Sequence, residues 1–536
     1  MLRRPHRLVL AAAALAVLAC RGRRAPPPER FVPADAATAI VLPETGRAAR
    51  DLAALHATVA GFPGAAELAG LRGNLATQLG FDPLDPDALE DAGFDPRRGA
   101  ALASVDRVRA QGGEPVRRAI LVLPLRDPPR VEALLQRLAR DRMGATERIA
   151  EPHGAFSVVV LRAPGATAAS LSYAVVERTA LLATGGAGPA AVAEAAALAP
   201  EASLSQASAW ASARRALGDE PSVMWWLPPG SPFLAGMWAA KDGMAAGIAA
   251  ARGRLRARAA LLLGAREPSF RALAADGKAA GAVGRLAPDA QLAGRWDGDF
   301  AALGKKLAPI VPAAERARLA RRGIDLERDV FGVLAPGGAL AISLAPGLDL
   351  SGLTYAAARA DPLKAVQFEL VLPVKDPAAA EATSARLAGG PPPRTRRAPG
   401  AVDGVHRIRT PSGEIAWRVD AGARRVVAAG GPAGRLEALE ARLAGSDGFR
   451  PPTKSAEDAL AGGLGGAVLV PPRVVAAVRA MPEEAFGTGP SGFVMRSLVD
   501  RFLEPASRIT AASLRADLAE GALVLGLEVE AAEGAR

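Results

Sequence analysis

The sequence predicts an α+β fold made of two tandem homologous halves, each a mainly antiparallel sheet covered by helices. Two observations lead to this prediction: an internal duplication, and the order of strand-like and helix-like segments within each copy. Runs of strands between runs of helices, joined by short turns, are typical of α+β proteins rather than of a parallel doubly wound sheet. Hydrophobic residues make up 50% of the 536 residues and aromatic residues only 4%, so the core must consist mostly of Ala, Leu and Val.

The duplication rests on five landmarks that recur in the same order. Residues 121–128 (LVLPLRDP) return as residues 370–377 (LVLPVKDP), at an offset of 249. The other four pairs are 33–36 with 288–290, 93–95 with 323–325, 180–186 with 425–431, and 226–229 with 469–472. The offset falls from 254 at Asp35 and Asp289 to 230 at Gly93 and Gly323. This fall of 24 predicts extra sequence in the first copy, which we place at residues 62–92.

Each half follows one series of elements. A short strand (38–42 or 291–296) leads into a helix capped by Thr45 or Asp299. A strand around Ala101 or Ala339 comes next, and a second strand then ends at a Leu-Pro pair. The next helix begins after Asp127 or Asp376, with proline at its first position. In the first half, strands are predicted at 156–161, 172–176 and 180–183. A glycine pair, an Ala-rich helix, a strand ending at two prolines, another helix and a hairpin complete each half.

The boundary between the halves is predicted at residues 277–285 (GKAAGAVGR), which are small and lie between the copies. The first repeat then covers residues 31–277 and the second residues 286–536. Residues 389–400 (GGPPPRTRRAPG) have the composition of a linker. The alignment of the two copies instead predicts a loop here, equivalent to the helix-to-strand connection at 144–154.

The N-terminus predicts export. Arg3, Arg4 and Arg7 precede an apolar stretch over residues 8–19, which is shorter than the roughly 20 residues that cross a bilayer. Residues 1–19 are therefore predicted to be a lipoprotein signal peptide. Residues 17–20 (VLAC) resemble the lipobox of bacterial lipoproteins, although Leu18 is larger than the residue usual there.

That resemblance implies cleavage after Ala19 and a diacylglyceryl group, with palmitate among its acyl chains, on Cys20. The alternative is a secreted protein cut near Ala19 with a free thiol. Cys20 is the only cysteine, so the mature chain has no disulfide and no thiolate metal site. Residues 20–30 form a Pro- and Arg-rich tether of about 30 Å when extended. Arg21 is not the aspartate that retains lipoproteins at the inner membrane, which favours the outer membrane.

The basic charge does not predict a nucleic-acid partner. Removing the three signal arginines from 66 basic residues leaves 63 against 55 acidic, a balance of +8. The chain is predicted to be exported, and its basic groups lack interleaved aromatic residues. Two arginine series are interpreted as solvated faces, with anionic lipid headgroups as the alternative. They comprise Arg252, Arg254, Arg256 and Arg258, and Arg316, Arg318, Arg321 and Arg322.

The whole pattern resembles a family of duplicated α+β bacterial envelope proteins of unknown function. Halves in that family open with a Pro-Ala-Asp-type strand and carry a Gly-hydrophobic-Asp-Pro segment before a strand. Here the matching residues are 33–35 and 93–96, and 288–290 and 323–325 in the second half. The resemblance spans residues 31–531 and implies a fold type and an envelope location, but no activity.

Two local motifs have ordinary explanations. Residues 186–191 (GAGPAA) follow a strand and open a helix, as a dinucleotide-binding turn does, but the neighbouring strands are predicted to be antiparallel. We predict a plain strand-to-helix turn and no cofactor. Six carboxylates between Asp82 and Asp95 raise calcium as an alternative. Two prolines interrupt that loop, and Asp85 before Pro86 fits a helix start better.

Catalytic and metal sites are not predicted. His56, His153 and His406 lie far apart without a metal-type partner at i+3 or i+4, and no serine-elbow, phosphate-loop or zinc-helix motif is present. Trp225 and Trp226 should point to opposite faces of a strand, and Trp238 lies nearby. The prediction is a lipid-anchored envelope protein with a non-catalytic binding or structural role, which would hold an envelope protein, glycan or lipid. The alternative is a periplasmic hydrolase whose residues converge only in three dimensions.

Overall fold

The computed structural model describes residues 26–59, 62, 65–107, 116–234, 241–251, 253–273, 280–351, 361–389 and 404–532. It confirms the α+β class, with antiparallel sheets covered by helices. Contacts divide the chain into two compact units. Unit 1 takes residues up to 50, 74–211 and 222–233, and unit 2 takes residues 51–73, 212–221 and those from 234 onward.

Unit 1 contains eight described strands: β1 (Thr38–Leu42), β2 (Ala100–Arg107), β3 (Val116–Pro124), β4 (Glu147–His153), β5 (Phe156–Arg162), β6 (Leu171–Val176), β7 (Thr179–Thr184) and β8 (Val223–Leu227). They pair in the order β4-β5-β6-β7-β3-β2-β1-β8, and every pairing is antiparallel. Three helices belong to unit 1: α3 (Pro86–Asp91), α4 (Pro128–Met143) and α5 (Gly188–Ala196). Three others have residues in both units: α1 (Thr45–Val59), α2 (Ala65–Leu79) and α6 (Ser208–Leu217).

Unit 2 contains eleven described strands: β9 (Met244–Ala251), β10 (Arg254–Leu262), β11 (Leu292–Trp296), β12 (Gly338–Leu344), β13 (Val366–Pro373), β14 (Val405–Thr410), β15 (Gly413–Asp420), β16 (Arg425–Gly431), β17 (Gly465–Leu469), β18 (Ile509–Ala519) and β19 (Ala522–Ala531). They pair in the order β9-β10-β19-β18-β17-β11-β12-β13-β16-β15-β14, again antiparallel throughout.

The helices of unit 2 are α7 (Glu267–Arg271), α8 (Ala280–Val283), α9 (Phe300–Leu307), α10 (Ala313–Arg321), α11 (Pro377–Leu387), α12 (Arg435–Ala444), α13 (Lys454–Ala461), α14 (Pro471–Arg479) and α15 (Gly489–Ser507). A π-helical turn, Leu326–Phe331, follows α10. Among the described residues, no helix is long and apolar enough to cross a membrane.

Corresponding strands occupy the same place in the two sheets. β3 lies between β2 and β7, and β13 lies between β12 and β16. The helices that follow them start alike: Asp127 accepts a hydrogen bond from the Arg130 amide (3.2 Å), and Asp376 accepts one from the Ala379 amide (3.0 Å). The predicted caps at these two aspartates are confirmed. Common ancestry of the halves stays a prediction.

One predicted landmark is wrong. Phe94 forms a β-bridge with Leu125, and the bridge at the matching place in unit 2 joins Leu334 to Val374. The counterpart of Phe94 is therefore Leu334 and not Ile324. The two β-bridges show which residues correspond, and the short Gly-hydrophobic-Asp match in the sequence does not contain that information.

Two element predictions need correction. The connection at residues 144–154, predicted to be a loop, contains β4, which pairs with β5 along its whole length. The corresponding residues of the second half, 390–403, lie outside the described part of the chain. Thr45 does not cap α1 through an accepted amide hydrogen bond. Its hydroxyl instead donates to the carbonyl oxygens of Asp95 and Arg98, because the chain returns there beside the helix start.

The predicted domain ranges do not coincide with the compact units. The hairpin β9–β10, assigned by sequence to the first repeat, belongs to unit 2, because β10 pairs with β19 over nine residues. At the predicted boundary, residues 280–283 form α8, and Val283 is buried in the core of unit 2. Residues 274–279 lie outside the described part.

The predicted tether is shorter than expected at its C-terminal end. Pro28–Phe31 forms a 3₁₀ helix, and the side chain of Phe31 is buried. The guanidinium of Arg30 donates to the Leu198 carbonyl oxygen at 2.6 Å. Residues 28–30 therefore belong to the folded part, while residues 20–25 lie outside the described part.

A buried carboxylate fixes the middle of β13. Glu369, 1% exposed, accepts a hydrogen bond from the Ala287 amide (2.8 Å) and pairs with Arg442 (2.6 Å) and Arg435 (3.4 Å). At the 249-residue offset, its counterpart in β3 is the buried apolar residue Ile120. The second half thus holds its central strand to α12 by charge, where the first half uses apolar packing.

Replacing Glu369 by alanine is expected to lower the free energy of unfolding by about 3–5 kcal/mol, because two arginines keep their charge without their partner. Equilibrium urea unfolding followed by circular dichroism measures this change. Glu457, which makes an exposed pair with Lys454, is the control, and Glu457→Ala should change stability by less than about 0.5 kcal/mol. Equal effects of the two substitutions would contradict the role given to Glu369.

Candidate functional site

Unit 2 contains a mainly apolar pocket of about 520 Å³. It lies between the sheet on one side and α10, the π-helical turn and α11 on the other. Its floor is formed by apolar side chains of β13, β14, β15 and β16: Phe368, Leu370, Leu372, Ile408, Ile415, Trp417, Val426 and Ala428. A pocket of this size and lining is typical of sites that bind small apolar molecules.

Strand alternation explains the floor. Phe368, Leu370 and Leu372 point to the pocket, because every second residue of a strand faces the same side. Between them, Glu369 and Val371 are buried on the other face. Gly430 lies opposite Phe368, and a Cβ atom there would come within 2.3 Å of the Phe368 ring. Glycine at this position therefore leaves room for the Phe368 ring.

Small residues of the helix above the sheet line the pocket. Three residues of α4, Val131, Leu134 and Leu135, are buried in the core of unit 1. At the same offset of 249, the corresponding residues of α11 are smaller: Ala380, Thr383 and Ser384. All three line the pocket and are buried. The sheet positions below are similar in the two halves, with Leu121 and Leu123 in place of Leu370 and Leu372. The difference lies in the helix.

Charged side chains lie along one edge of the pocket. Glu315, Arg318 and Arg322 come from α10 and its C-terminal end, and Asp329 comes from the π-helical turn. Arg322 donates to the Leu387 carbonyl oxygen at 2.7 Å, which links the end of α10 to the end of α11. The guanidinium of Arg386 donates to the Gly323 carbonyl oxygen in the reverse direction. These two hydrogen bonds close that edge of the pocket.

Asp329 adds a third contact at this edge, between the π-helical turn and α11. Its carboxylate accepts a hydrogen bond from Arg328 Nε (2.8 Å) and lies 3.7 Å from Arg386. The hydrogen bond from Arg328 holds the pKa of the Asp329 carboxyl at about 2, below its ordinary value. The carboxylate is therefore charged at neutral pH and neutralises part of the positive charge at this edge.

A larger hollow of about 580 Å³ beside β10, β18 and β19 is polar and filled with ion pairs. Arg256 pairs with Glu220 (2.9 Å) and Glu528 (3.1 Å), and Arg254 also pairs with Glu528. Arg258 donates to the Leu217 carbonyl oxygen at 3.1 Å. The arginine series of β10 thus faces carboxylates of its own chain, which supports the interpretation as a solvated face. Arg252 lies outside the described part.

The histidines give one candidate pair. His406 Nε2 lies 2.9 Å from Glu381 Oε1, and its ring stacks on Trp417 at a centroid distance of 5.5 Å. In the described part of the chain, His406 makes no hydrogen bond to a serine or threonine hydroxyl. His153 stacks on Phe156 and lies 3.9 Å from Glu151, and His56 Nε2 is buried. The structure does not bring the three histidines into one site.

The remaining motifs take ordinary places. The glycine turn at 186–191 joins β7 to α5, and both neighbours of β7 are antiparallel to it. Asp85 caps α3 by accepting from the Asp87 amide at 3.0 Å. Among the described residues, no group of three or more His, Cys, Asp or Glu could hold a metal ion.

The tryptophans of β8 point to opposite faces, as predicted. Trp226 is 1% exposed and packs edge-on against Trp210 at 5.7 Å. Trp225 is 42% exposed, and its indole N–H donates to the Thr38 hydroxyl at 2.6 Å. Trp238, Ala19 and Cys20 lie outside the described residues, so cleavage and lipidation stay predictions.

Comparisons with known proteins give little. No family model and no curated protein matches the chain. Three crystal forms of TP0453, a Treponema lipoprotein, are similar to part of it at low TM-scores. Form III is 9% identical and covers 45% of this chain and 81% of that protein, with a TM-score of 0.23. Form I is 10% identical and covers 44% and 78%, with a TM-score of 0.22. Structural similarity at this level gives no information about function.

The small size of three residues in α11 is a signal in the sequence that could have revealed the pocket, and reasoning from the sequence alone missed it. Once residues 121–128 and 370–377 are aligned, the same offset extends into the helices and shows the loss of large side chains at three positions. Only the structure shows that these positions face the sheet.

The pH dependence of stability tests the contacts at the pocket edge. A carboxyl group with a lowered pKa stabilises the fold above its unfolded pKa of about 4, and this contribution is lost as the pH falls toward about 2. Asp329→Asn should therefore lower the unfolding temperature at pH 7 by about 2–4 °C. The difference from the unchanged protein should shrink between pH 4 and pH 2. Calorimetry at pH 7, 4 and 2 measures it.

Asp500 provides the control for that experiment, because it makes an exposed pair with Arg496. Asp500→Asn should leave the unfolding temperature nearly unchanged at each pH. A constant difference for Asp329→Asn across the three pH values would show that the ionised carboxylate does not stabilise the pocket edge.

Proposed function

We propose that this chain is a lipid-anchored envelope protein that binds an apolar ligand in the pocket beneath α11 without changing it chemically. The observation that carries the proposal is the replacement of the large sheet-facing residues of α4 by Ala380, Thr383 and Ser384 in α11. The pocket is open to solvent, and concave hollows lined mainly by apolar side chains are the usual places where proteins bind small apolar ligands.

The chemistry of the lining favours an apolar ligand. Apolar side chains cover the sheet side of the pocket, and Leu319, Leu387 and Val333 add to them from the helical side. Moving apolar surface from water onto such a lining is favourable by about 25 cal/mol per Å². Charged groups lie only along the edge formed by α10 and the π-helical turn, so a ligand would have one end near charge and the rest among apolar groups.

Binding is favoured over hydrolysis by what surrounds His406. A nucleophile activated by this histidine would have to reach its free nitrogen, and His406 does not line the apolar pocket. Hydrogen bonds from Arg162 and Arg328 lower the pKa values of Glu147 and Asp329. A general acid needs the opposite shift. The His406–Glu381 contact is the geometry that the hydrolase alternative would use, and neither residue lines the apolar pocket.

The envelope location rests on the N-terminal sequence. A basic start, an apolar stretch of about a dozen residues and a sole cysteine at its end support cleavage behind Ala19 and lipidation of Cys20. A lipid anchor would keep the pocket close to a membrane, where apolar ligands are abundant. Arg21 supports the outer membrane over the inner one.

Filling the pocket tests the proposal. Ala380→Val, Thr383→Leu and Ser384→Leu together copy the residues of α4 into α11. The mature chain carrying Cys20→Ser should bind the neutral dye Nile red with a rise in fluorescence, and the triple variant should bind at least about tenfold more weakly. Added apolar burial should keep its stability equal or raise it by about 1–2 kcal/mol.

Ala378→Leu is the matched control, because it adds similar apolar bulk to an exposed position of α11 and should leave dye binding unchanged. Failure of the starting protein to bind the dye, or equal binding by the filled variant, would overturn the proposed function. Thermal unfolding of each variant shows whether a loss of binding reflects a loss of folding.

Lipidation has a separate test. Cells that express the full chain and are labelled with radioactive palmitate should give a labelled band, and Cys20→Ser should abolish that label. Undiminished labelling of the variant would contradict the assignment of Cys20.

A further inference from the structure

We propose that the binding surface continues from the pocket across the sheet of unit 2, over β12, β11, β17 and β18, and that the ligand has a long hydrocarbon chain lying on this face. The inference rests on the proposed function and adds the extent of the site and the form of the ligand. It follows from the register of the strands and from the exposure of the side chains along them.

Strand pairing places one row of residues across the sheet. Leu370 on the pocket floor lies opposite Leu340 of β12, and Leu340 lies opposite Gly294 of β11. The row continues through Ala467 of β17 to Leu514 of β18. Residues directly opposite each other in an antiparallel pair point to the same face. The pocket floor and this row therefore belong to one face of the sheet.

This face remains apolar beyond the pocket. Along β12, β11, β17, β18 and β19, strand alternation places only Gly, Ala, Val, Leu, Ile and Trp on it. Leu469, Leu514 and Leu527 belong to the three neighbouring strands β17, β18 and β19, and they are 39%, 47% and 42% exposed. Apolar side chains that lie together and are open to water mark an interaction surface.

The charged residues of the same strands lie on the opposite face. Glu369 pairs there with Arg442 of α12, and Arg515 donates to the Asp458 carbonyl oxygen of α13. An antiparallel sheet with one solvated face usually has polar side chains on that face and apolar ones beneath its helices. Here ion pairs lie on the side of α12 and α13, and leucines lie on the open side. Folding alone does not require this reversal, so we assign the open face to binding.

Small residues make the middle of the row low. The three atoms nearest to a Cβ atom built on Gly294 all belong to the adjacent β17. Ala467, opposite Gly294, is also small. Leu292 and Trp296 lie on the same face two residues away from Gly294, one on each side along β11. The low strip is therefore one row wide and leads from β12 toward β18.

A hydrocarbon chain suits this strip better than a polypeptide or a glycan. The backbone groups of β12, β11, β17 and β18 pair with neighbouring strands, and the side chains of the row have no hydrogen-bond donor or acceptor. A helix, about 10 Å or more across, would rest on the flanking side chains. Four strand spacings of about 4.8 Å separate β13 from β18, roughly 19 Å in all, so the chain must be long.

Thiol protection tests the proposal, because Cys20→Ser removes the sole cysteine of the chain. Leu469→Cys and Leu514→Cys each add one thiol to the open face of the mature Cys20→Ser chain. In the free protein both thiols should react readily with a charged, water-soluble thiol reagent. Tetradecyl maltoside, below the concentration at which it forms micelles, should displace Nile red and slow both reactions at least about fivefold.

Ile310→Cys is the control, since Ile310 is 72% exposed and lies outside the sheet. Its rate of reaction should be the same with and without the maltoside. Octyl maltoside has a chain too short to reach β18 from the pocket, so it should displace the dye without protecting the thiol of Leu514→Cys. Equal protection by the two maltosides would overturn the single extended site. Circular dichroism confirms that each variant is folded.

The remaining outcomes separate this inference from the proposed function. Dye displacement without protection of either thiol would confine the ligand to the pocket, which overturns the extended site and leaves the proposed function standing. Thiols that react slowly in the free protein, and more slowly as the protein concentration rises, would show that a second copy of the chain covers the face. That result would also overturn the hydrocarbon assignment. Absence of dye binding by the starting protein would remove the proposed function itself.

Discussion

The packing of a helix onto one face of the central strands is the constraint on which the structure of this protein depends. In unit 1, α4 contributes Val131 and Leu134 to the apolar core that covers one face of the sheet. In unit 2, α11 starts from the same Asp-Pro cap but carries small residues on that side. A helix whose ends are held in place cannot move closer to the sheet to compensate. Open volume therefore remains beneath it.

Hydrogen bonds at the helix ends are what hold α11 above that volume. Asp376 caps its start, and Arg322 and Arg386 link its end to α10 and the residues after it. The other face of β13 is fixed independently through Glu369 and α12. A pocket is thus compatible with a stable fold because polar contacts around it replace the packing that large side chains provide elsewhere.

The two halves differ in the same way on both faces of their central strand. Ile120 in β3 corresponds to Glu369 in β13, and Leu135 in α4 corresponds to Ser384 in α11. Each change replaces apolar bulk in unit 1 by a polar or smaller side chain in unit 2. Such paired differences are easier to understand as specialisation of one half for binding than as a general loosening of packing.

Much of the fold could be predicted because it depends on local signals. Alternating strands, aspartate caps followed by proline, and the opposite orientations of Trp225 and Trp226 are read from neighbouring residues. The prediction failed where long-range pairing decides the outcome. β4 is a strand because β5 lies beside it, and the hairpin β9–β10 belongs with unit 2 because β10 pairs with β19. Leu334 matches Phe94 through a bridge to Val374 that no local motif marks.

The sequence by itself determined the α+β class, the order of the main elements and the caps of α4 and α11, and it predicts the lipid anchor at Cys20. These follow from periodicity, turn chemistry and composition, which act over a few residues. Only the tertiary structure decided that the buried residues Ala380, Thr383 and Ser384 line a hollow over the sheet and that Arg318 lies at its edge. A cavity forms where side chains from several distant segments leave the same volume unfilled. The order of residues along the chain does not show which segments meet there.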